Sequence, residues 1–287
     1  MLSLFSPCKV NLFLRVLSVL PDGYHYLNTL MQALDFGDYL VISDSDRDVF
    51  ISSREDISGS DNLAILARDL FRSKSGISNK FSIFLQKNVP IGAGLGGGSS
   101  NAATVLFGLN QLCETGFSDE ELKSWSSELG ADIPFFFSSG RAMCKGGQNL
   151  SVNDFKDDLL GNKKIFLVFP PGPGTLTKEI YKKFVFNCIR YEEKLLLGHN
   201  DLESTVFSYF PFLRDLKRTL MKSLGDFSEL IFMTGSGSTF VIFTDYEERV
   251  SQELMTLSLD FVLAEPILRK KTPSQWFCVP HEEAIFV

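Results

Sequence analysis

Polar and apolar residues alternate from Cys8 to Val16, with Lys9, Asn11, Phe13 and Arg15 on one face and Val10, Leu12, Leu14 and Val16 on the other. That two-residue period predicts a strand and points Lys9 and Asn11 the same way, about 7 Å apart. Each reads equally as a solvated outer-face residue or as part of a site. Pro21-Asp22-Gly23 is a turn signal. Tyr24 and His25 follow at once, either as loop aromatics half covering the core or as a platform on which a flat ligand stacks. Leu27–Leu34, Tyr39–Ser43 and Val49–Ser52 predict further short strands separated by Asp/Gly/Ser turns, so the start of the chain reads as a β-rich meander.

Ser60-Asp61-Asn62 caps a helix carrying Leu63, Leu66, Ala67, Leu70 and Phe71, with Gly76 just beyond its end. Phe81–Leu85 predicts a strand, and the helix after the glycine-rich stretch it leads into ends before Gly116. Ser118-Asp119-Glu120-Glu121 is a capping box opening the next helix, which Gly130 closes. Asp132 then stands between that helix stop and a strand-like aromatic run, Pro134-Phe135-Phe136-Phe137. It reads either as the cap of a local turn or as a buried acid that needs a partner.

Asn149–Lys164 is polar and charged, a candidate boundary. Beyond it, Ile165–Phe169 is a strand, Lys178–Val185 a helix, and Asp201–Leu224 a helix broken near Pro211. Leu230–Met233 and Thr239–Phe243 are strands joined as a hairpin by a Gly/Ser loop. Glu247–Thr256 is helical, Phe261–Ala264 is a strand, and the tail carries no signal. Strand–helix–strand–strand–helix–strand is a split βαβ outline.

Between Gly92 and Gly98 five of seven residues are glycine, and two serines follow before the helix. Glycine is costly to order and packs nothing, so such a cluster suits a loop whose backbone N–H groups approach a ligand closely. Where it feeds a helix, those donors and the positive end of the helix dipole converge, and phosphate is the expected occupant. The alternative, a flexible linker, is opposed by Ala93, Leu95 and the immediate helix. Gly92-Ala-Gly94-Leu-Gly96-Gly97 satisfies G-x-G-x-x-G, but Lys87–Pro90 separates it from the strand and no acid follows at the right place for a dinucleotide fold. No lysine follows the glycines as a Walker loop requires, and neither H-R-D nor D-F-G comes later in the chain as the protein-kinase arrangement requires.

Composition narrows the classes further. A net charge of −7 gives no general grip on nucleic acid or an anionic membrane. Five scattered cysteines (Cys8, Cys113, Cys144, Cys188 and Cys278) suit neither a disulfide framework nor a zinc ribbon, and they fit a reducing cytoplasm. The apolar start is interrupted by Lys9, Asn11 and Arg15 without a cleavage site, and no run of about 18 apolar residues suggests a membrane span.

The stretch from Pro90 to Ala103 resembles the phosphate loop of the GHMP kinases (galactokinase, homoserine kinase, mevalonate kinase, phosphomevalonate kinase), P-x-x-x-G-L-x-G-S-S-A-A. Its extra glycine and Asn101 are similar to the branch acting on a diphosphocytidyl-substituted methylerythritol. The resemblance extends to Pro7-Cys8-Lys9-Val10-Asn11-Leu12, with Cys8 where alanine is usual, and to Asp22-Gly23-Tyr24-His25. It also takes in Asp61-Asn62-Leu63, Leu129-Gly130-Ala131-Asp132-Ile133-Pro134 and Met233-Thr234-Gly235-Ser236-Gly237. Residues 149–218 match loosely.

This resemblance implies a two-domain α+β chain. Residues 1–155 would form an ATP-binding domain like the second domain of ribosomal protein S5, and residues 156–287 a ferredoxin-like domain. It implies ATP-dependent phosphorylation of the 2-hydroxyl of a small molecule bearing a cytidine diphosphate group, in the cytoplasm, by a monomer or weak homodimer with no nucleic-acid or membrane partner. Asp132 would be the base and Lys9 the charge between base and γ-phosphate, while Asn11 orients the substrate. Tyr24, His25 and, as the opposite wall, Tyr181 would hold the cytosine, with Thr177 and Gly235 closing the substrate side. Pro90, Gly92, Ala93, Gly94, Leu95, Gly96, Gly97, Gly98, Ser99 and Ser100 would cradle the ATP phosphates, Ser99 or Ser100 reaching the metal, and Asn62 and Lys87 would border the adenine. No carboxylate stands out as a Mg2+ ligand, so the ion would be held chiefly by ATP oxygens and water. Another GHMP kinase, of homoserine or mevalonate type, would keep the loop and Asp132 but have no use for Tyr24 and His25. A nucleotide sensor on an inactive scaffold is opposed by the presence of both Lys9 and Asp132.

Overall fold

The alternation at Cys8–Val16 lies inside a longer strand, β1 (Leu2–Val19), and both of its faces are buried. The solvated-face reading of Lys9 and Asn11 is therefore excluded: each is only 3% exposed. The computed structural model describes residues 1–172, 174–185, 196–228, 230–269 and 275–278, so Cys188 lies outside the described residues.

β1 pairs antiparallel along β2 (His25–Ser45), a single strand that absorbs two expected ones. The supposed turn between them is an irregularity in the ladder: Pro7 faces Gly37 while Cys8 faces Leu34. Glycine is needed at 37 because a Cβ there would lie 2.4 Å from the Ser6 carbonyl oxygen. On its other side β2 pairs with β5 (Arg141–Gly146) along Leu27–Gln32 and with β4 (Lys80–Gln86) along Tyr39–Ser45. β3 (Val49–Ser52) and β6 (Leu150–Asp154) complete a six-stranded sheet.

One face of this sheet is covered by α1 (Leu63–Ser75), α2 (Gly97–Leu112) and α3 (Asp119–Ser126). Phe71, Ala102, Val105, Leu106 and Leu109 pack there on Leu40, Ile42, Ile83 and Leu85. The caps read from sequence are present. Asn62 accepts from the Ala64 N–H, Gly76 is left-handed after α1, and Ser118 and Glu121 form the capping box of α3. α3 stops at Ser126, short of Gly130. The aromatic run is a buried 3-10 helix, Ile133–Phe137, rather than a strand, because Pro134 in its first turn fixes a helical φ.

The chain crosses to a second sheet through residues 155–163. Here β7 (Lys164–Phe169), β8 (Leu230–Met233), β9 (Phe240–Thr244) and β10 (Asp260–Ala264) lie in the order β10-β7-β9-β8, all antiparallel. This is the ferredoxin-like split βαβ arrangement. α4 (Thr177–Lys183), α5 (Leu202–Tyr209), α6 (Pro211–Leu224) and α7 (Glu247–Thr256) pack on Phe166, Val168, Phe240 and Ile242 of one face. The other face, Ile165, Leu167, Val241 and Phe243, meets Val10, Leu12, Leu30 and Leu34 together with Ala93 and Leu95 of the glycine loop. Burial on both faces explains why these strands read as unbroken apolar runs.

The free edge of β1 is closed by residues 198–201, through Gly198 N–H to Leu12 O, Leu14 N–H to His199 O and Asp201 N–H to Leu14 O. β1 thus joins the two halves, and its polar residues at 9 and 11 are buried where they meet.

Candidate active site

Gly92, Gly94 and Gly96 have φ of 67°, 77° and 67°. Between them Ala93 and Leu95 are buried in the core shared by the two sheets. Left-handed glycines alternating with anchored apolar residues curl the backbone so that successive N–H groups face one concavity, an anion nest. Gly96 is the left-handed residue preceding α2, so the nest opens at the N-terminus of a 16-residue helix.

The loop is held from three directions. The Lys9 N–H donates to Leu95 O at 2.9 Å, Thr175 N–H to Gly92 O at 2.8 Å and Thr239 N–H to Ala93 O at 3.3 Å. The fully buried Asp38 carboxylate lies beneath it. Its oxygens accept from Asn88 N–H and Val89 N–H at 2.8 Å each, from Asn101 Nδ2 at 2.9 Å and from Lys87 Nζ. Every element that enters or leaves the loop is tied to that one carboxylate.

At the mouth of the nest the Lys9 stem runs along Gly96, where a Cβ would meet it at 3.0 Å. The ammonium sits 2.6 Å from Asn11 Oδ1 and 3.5 Å from Asp132 Oδ2. The Asp132 side chain is 36% exposed, against 4% for Lys9. The buried-acid expectation is thus corrected: the lysine is buried and the acid opens to solvent. The capping alternative also fails, since the Asp132 side chain makes no cap hydrogen bond to the 3-10 helix it precedes.

The Thr234–Ser238 loop closes over the same spot. Thr234 Oγ1 accepts the Asn11 N–H at 2.8 Å, and a Cβ on Gly235 would lie 3.1 Å from Asn11 Oδ1. Thr177 Oγ1 is 2.8 Å from Ser236 Oγ, and Thr175 Oγ1 lies against the carbonyls of Ser236 and Gly237. On the far side the His25 and Tyr181 rings have centroids 5.1 Å apart, with Phe184 edge-on to His25 at 5.8 Å. Burial lowers the His25 pKa and favours neutral imidazole. Burial, and then the negative charge of Asp132, raise the Tyr181 phenol, so Tyr181 is within electrostatic reach of the acid.

The structure brings Lys9, Asn11, Asp132, the glycine loop, Gly235 and the Thr177–Ser236 pair to one place, and sets His25 against Tyr181. Other expectations change. His25 and Tyr181 touch, so no slot for a base exists between them, and Tyr24 is a 45% exposed side chain at the turn. Ser100 is fully buried and accepts from the Ser6 hydroxyl at 2.9 Å, which leaves Ser99 as the serine facing outward. Asn62 uses both amide groups at the start of α1, on Ile57 O and Ala64 N–H, and Lys87 is buried against Asp38 under the loop. Thr29, Asp38 and Thr175 were not singled out: a β-branched strand residue, an acid in an apparent turn and a threonine in a Pro/Gly loop look ordinary until their partners are known.

Residues 62–140 match the GHMP kinases N terminal domain. The chain is 43% identical over 246 residues to the 4-diphosphocytidyl-2-C-methyl-D-erythritol kinase of Protochlamydia amoebophila, covering 83% of this chain and 82% of that protein. It is 41% identical over 258 residues to the chloroplastic enzyme of that name from Oryza sativa, covering 84% of this chain but 64% of the plant protein's length. A crystal structure of a 4-(cytidine 5'-diphospho)-2C-methyl-D-erythritol kinase superposes with a TM-score of 0.74 at 28% identity, over 93% of this chain and 99% of that one.

Proposed function

This chain belongs to the GHMP kinases, in their 4-diphosphocytidyl-2-C-methyl-D-erythritol kinase branch, and from that premise we propose that it transfers the γ-phosphoryl group of ATP to the 2-hydroxyl of 4-diphosphocytidyl-2-C-methyl-D-erythritol. The observation that carries the reading is the Lys9–Asp132 pair, 3.5 Å apart at the mouth of a glycine nest. Phosphoryl transfer asks a protein mainly to position two groups and to stabilise charge. The nest and the α2 N-terminus hold the triphosphate. Asp132, open to the cleft, takes the proton of the attacking hydroxyl as its oxygen bonds to phosphorus and ADP leaves. The Lys9 ammonium stabilises the negative charge that develops between them.

Asn11 and the Thr177–Ser236 contact flank the acceptor. The cytosine stacks on the outside of the His25–Tyr181 pair, with Tyr24 at its border, since base–aromatic stacking is worth about 1–3 kcal/mol. Among the described residues no group of three or more His, Cys, Asp or Glu side chains could hold a metal. Mg2+ would be held chiefly by the ATP oxygens and water, with Ser99 as the hydroxyl placed to reach it. Residues 1–155 and 156–287 would serve as the ATP-binding and closing domains. The chain would act as a monomer or weak homodimer.

Coupled ADP release tests the reading, with 4-diphosphocytidyl-2-C-methyl-D-erythritol, homoserine, mevalonate or no acceptor. Turnover is expected only with the first. Preference for mevalonate or homoserine would overturn the assigned substrate, and ADP release with none of them would overturn the kinase assignment.

A further inference from the structure

The orientation of the Asn11 amide is imposed from Thr29, a fully buried residue on β2 paired with Leu14 of β1 and Cys144 of β5. The Thr29 hydroxyl lies 2.6 Å from the Phe13 carbonyl oxygen. A carbonyl only accepts, so the hydroxyl proton is committed there. Toward Asn11 the same oxygen offers lone pairs alone, and the amide atom 2.8 Å away must be the nitrogen. The amide oxygen then faces the other way, to the Lys9 ammonium at 2.6 Å, a group that can only donate. Both ends of the amide demand the same orientation. Flipping it would set N–H against N–H at Lys9 and oxygen against lone pairs at Thr29.

We propose that Thr29 is a positioning residue for the phosphoryl transfer: through Asn11, its hydroxyl holds the Lys9 ammonium in place beside Asp132. This rests on the roles assigned to Lys9, Asn11 and Asp132. The amide oxygen lies nearer to Lys9 Nζ than the Asp132 carboxylate does, at 2.6 Å against 3.5 Å. Losing the aim of that amide frees the ammonium to swing between Asp132 and solvent. Displacement of about 1 Å at a reacting centre is enough to cost on the order of a hundredfold in rate.

Thr29→Val keeps the shape and removes the hydroxyl, Thr29→Ser keeps the hydroxyl, and Asn11→Ala removes the intermediary. Thr29→Ala is a second hydroxyl-free variant should the valine chain not fold. Activity is expressed per folded molecule, counted from the amplitude of the thermal unfolding transition. The expected result is a loss of roughly ten- to a hundredfold in kcat for the hydroxyl-free variants with KM for ATP unchanged, and recovery of most of it by serine. On an Asn11→Ala background the same change should cost little more, because the path is already cut. Wild-type kcat in Thr29→Val, no recovery by serine, or a loss that persists undiminished without Asn11 would each overturn the proposal. Should Asn11→Ala and Lys9→Ala themselves keep full kcat, the assigned site roles fail instead, and this proposal with them.

Discussion

Asp132 stands 36% exposed beside an ammonium that is almost wholly buried, and the two environments suit different duties. A base must meet the substrate, whereas a charge that stabilises a transition state acts most strongly away from water. Asp132→Asn keeps the size of the side chain but cannot take the proton. It should lower kcat by about 10²–10⁴-fold, with KM for ATP little changed, in the coupled assay. A variant turning over at the wild-type rate would remove Asp132 from the mechanism. His25 carries a second prediction. Burial lowers its pKa, so its imidazole C–H signals should titrate below the ordinary histidine midpoint. The sign of the linkage follows: its contribution to stability is present above the ordinary histidine pKa and is lost as pH falls through the lowered one. A midpoint above the ordinary value, read by NMR, would contradict the packing against Tyr181 and Phe184.

At the scale of elements, the glycine loop separates two reasons for glycine. Gly94 has φ of 77°, and a Cβ on it would lie 2.4 Å from the Thr234 carbonyl oxygen. Gly94→Ala therefore combines a left-handed alanine, costing about 1–2 kcal/mol, with a backbone clash. It should lower the thermal midpoint and raise KM for ATP together. Gly98 sits in the first turn of α2, and a Cβ there would make only an ordinary 3.5 Å contact with Leu63. Gly98→Ala should keep or raise stability, by about 0.5–1 kcal/mol on helix propensity, yet weaken ATP if the phosphates occupy the space above it. Calorimetry and ATP titration read the two effects separately, and unchanged ATP affinity in Gly98→Ala would move the phosphates elsewhere along the loop.

At the scale of the molecule, the last described segment returns to the first sheet. Trp276 is 4% exposed, stacks on Phe107 of α2 with centroids 4.7 Å apart and donates its indole N–H to Thr104. Arg269 lies over the same indole, donates to Asp119 at 2.6 Å and faces the Phe137 carbonyl. Arg269 and Trp276 thus brace α2, whose N-terminus opens the nest, and the 3-10 helix that follows Asp132. Trp276→Ala should cost about 3–5 kcal/mol in urea denaturation. An unchanged midpoint would show that the segment does not contribute to the fold.

Much of this was legible in the residues alone. Strand and helix periods, the caps at Asn62 and Ser118, and the glycines before α2 act through local geometry, which neighbouring residues determine without the rest of the chain. The two-residue period also put Lys9 and Asn11 on one side of β1, but it could not say that the second sheet would bury the opposite face. Asp132 read as buried and its aromatic run as a strand, because exposure is a property of what packs nearby rather than of the residue. Thr29, Asp38, Arg269 and Trp276 looked ordinary in sequence, for their partners are 16 to 172 positions away. Local order was written in the chain. The meeting of ammonium, acid and nest was decided by the two sheets closing on β1, since only burial of their apolar faces brings such distant groups within hydrogen-bonding range.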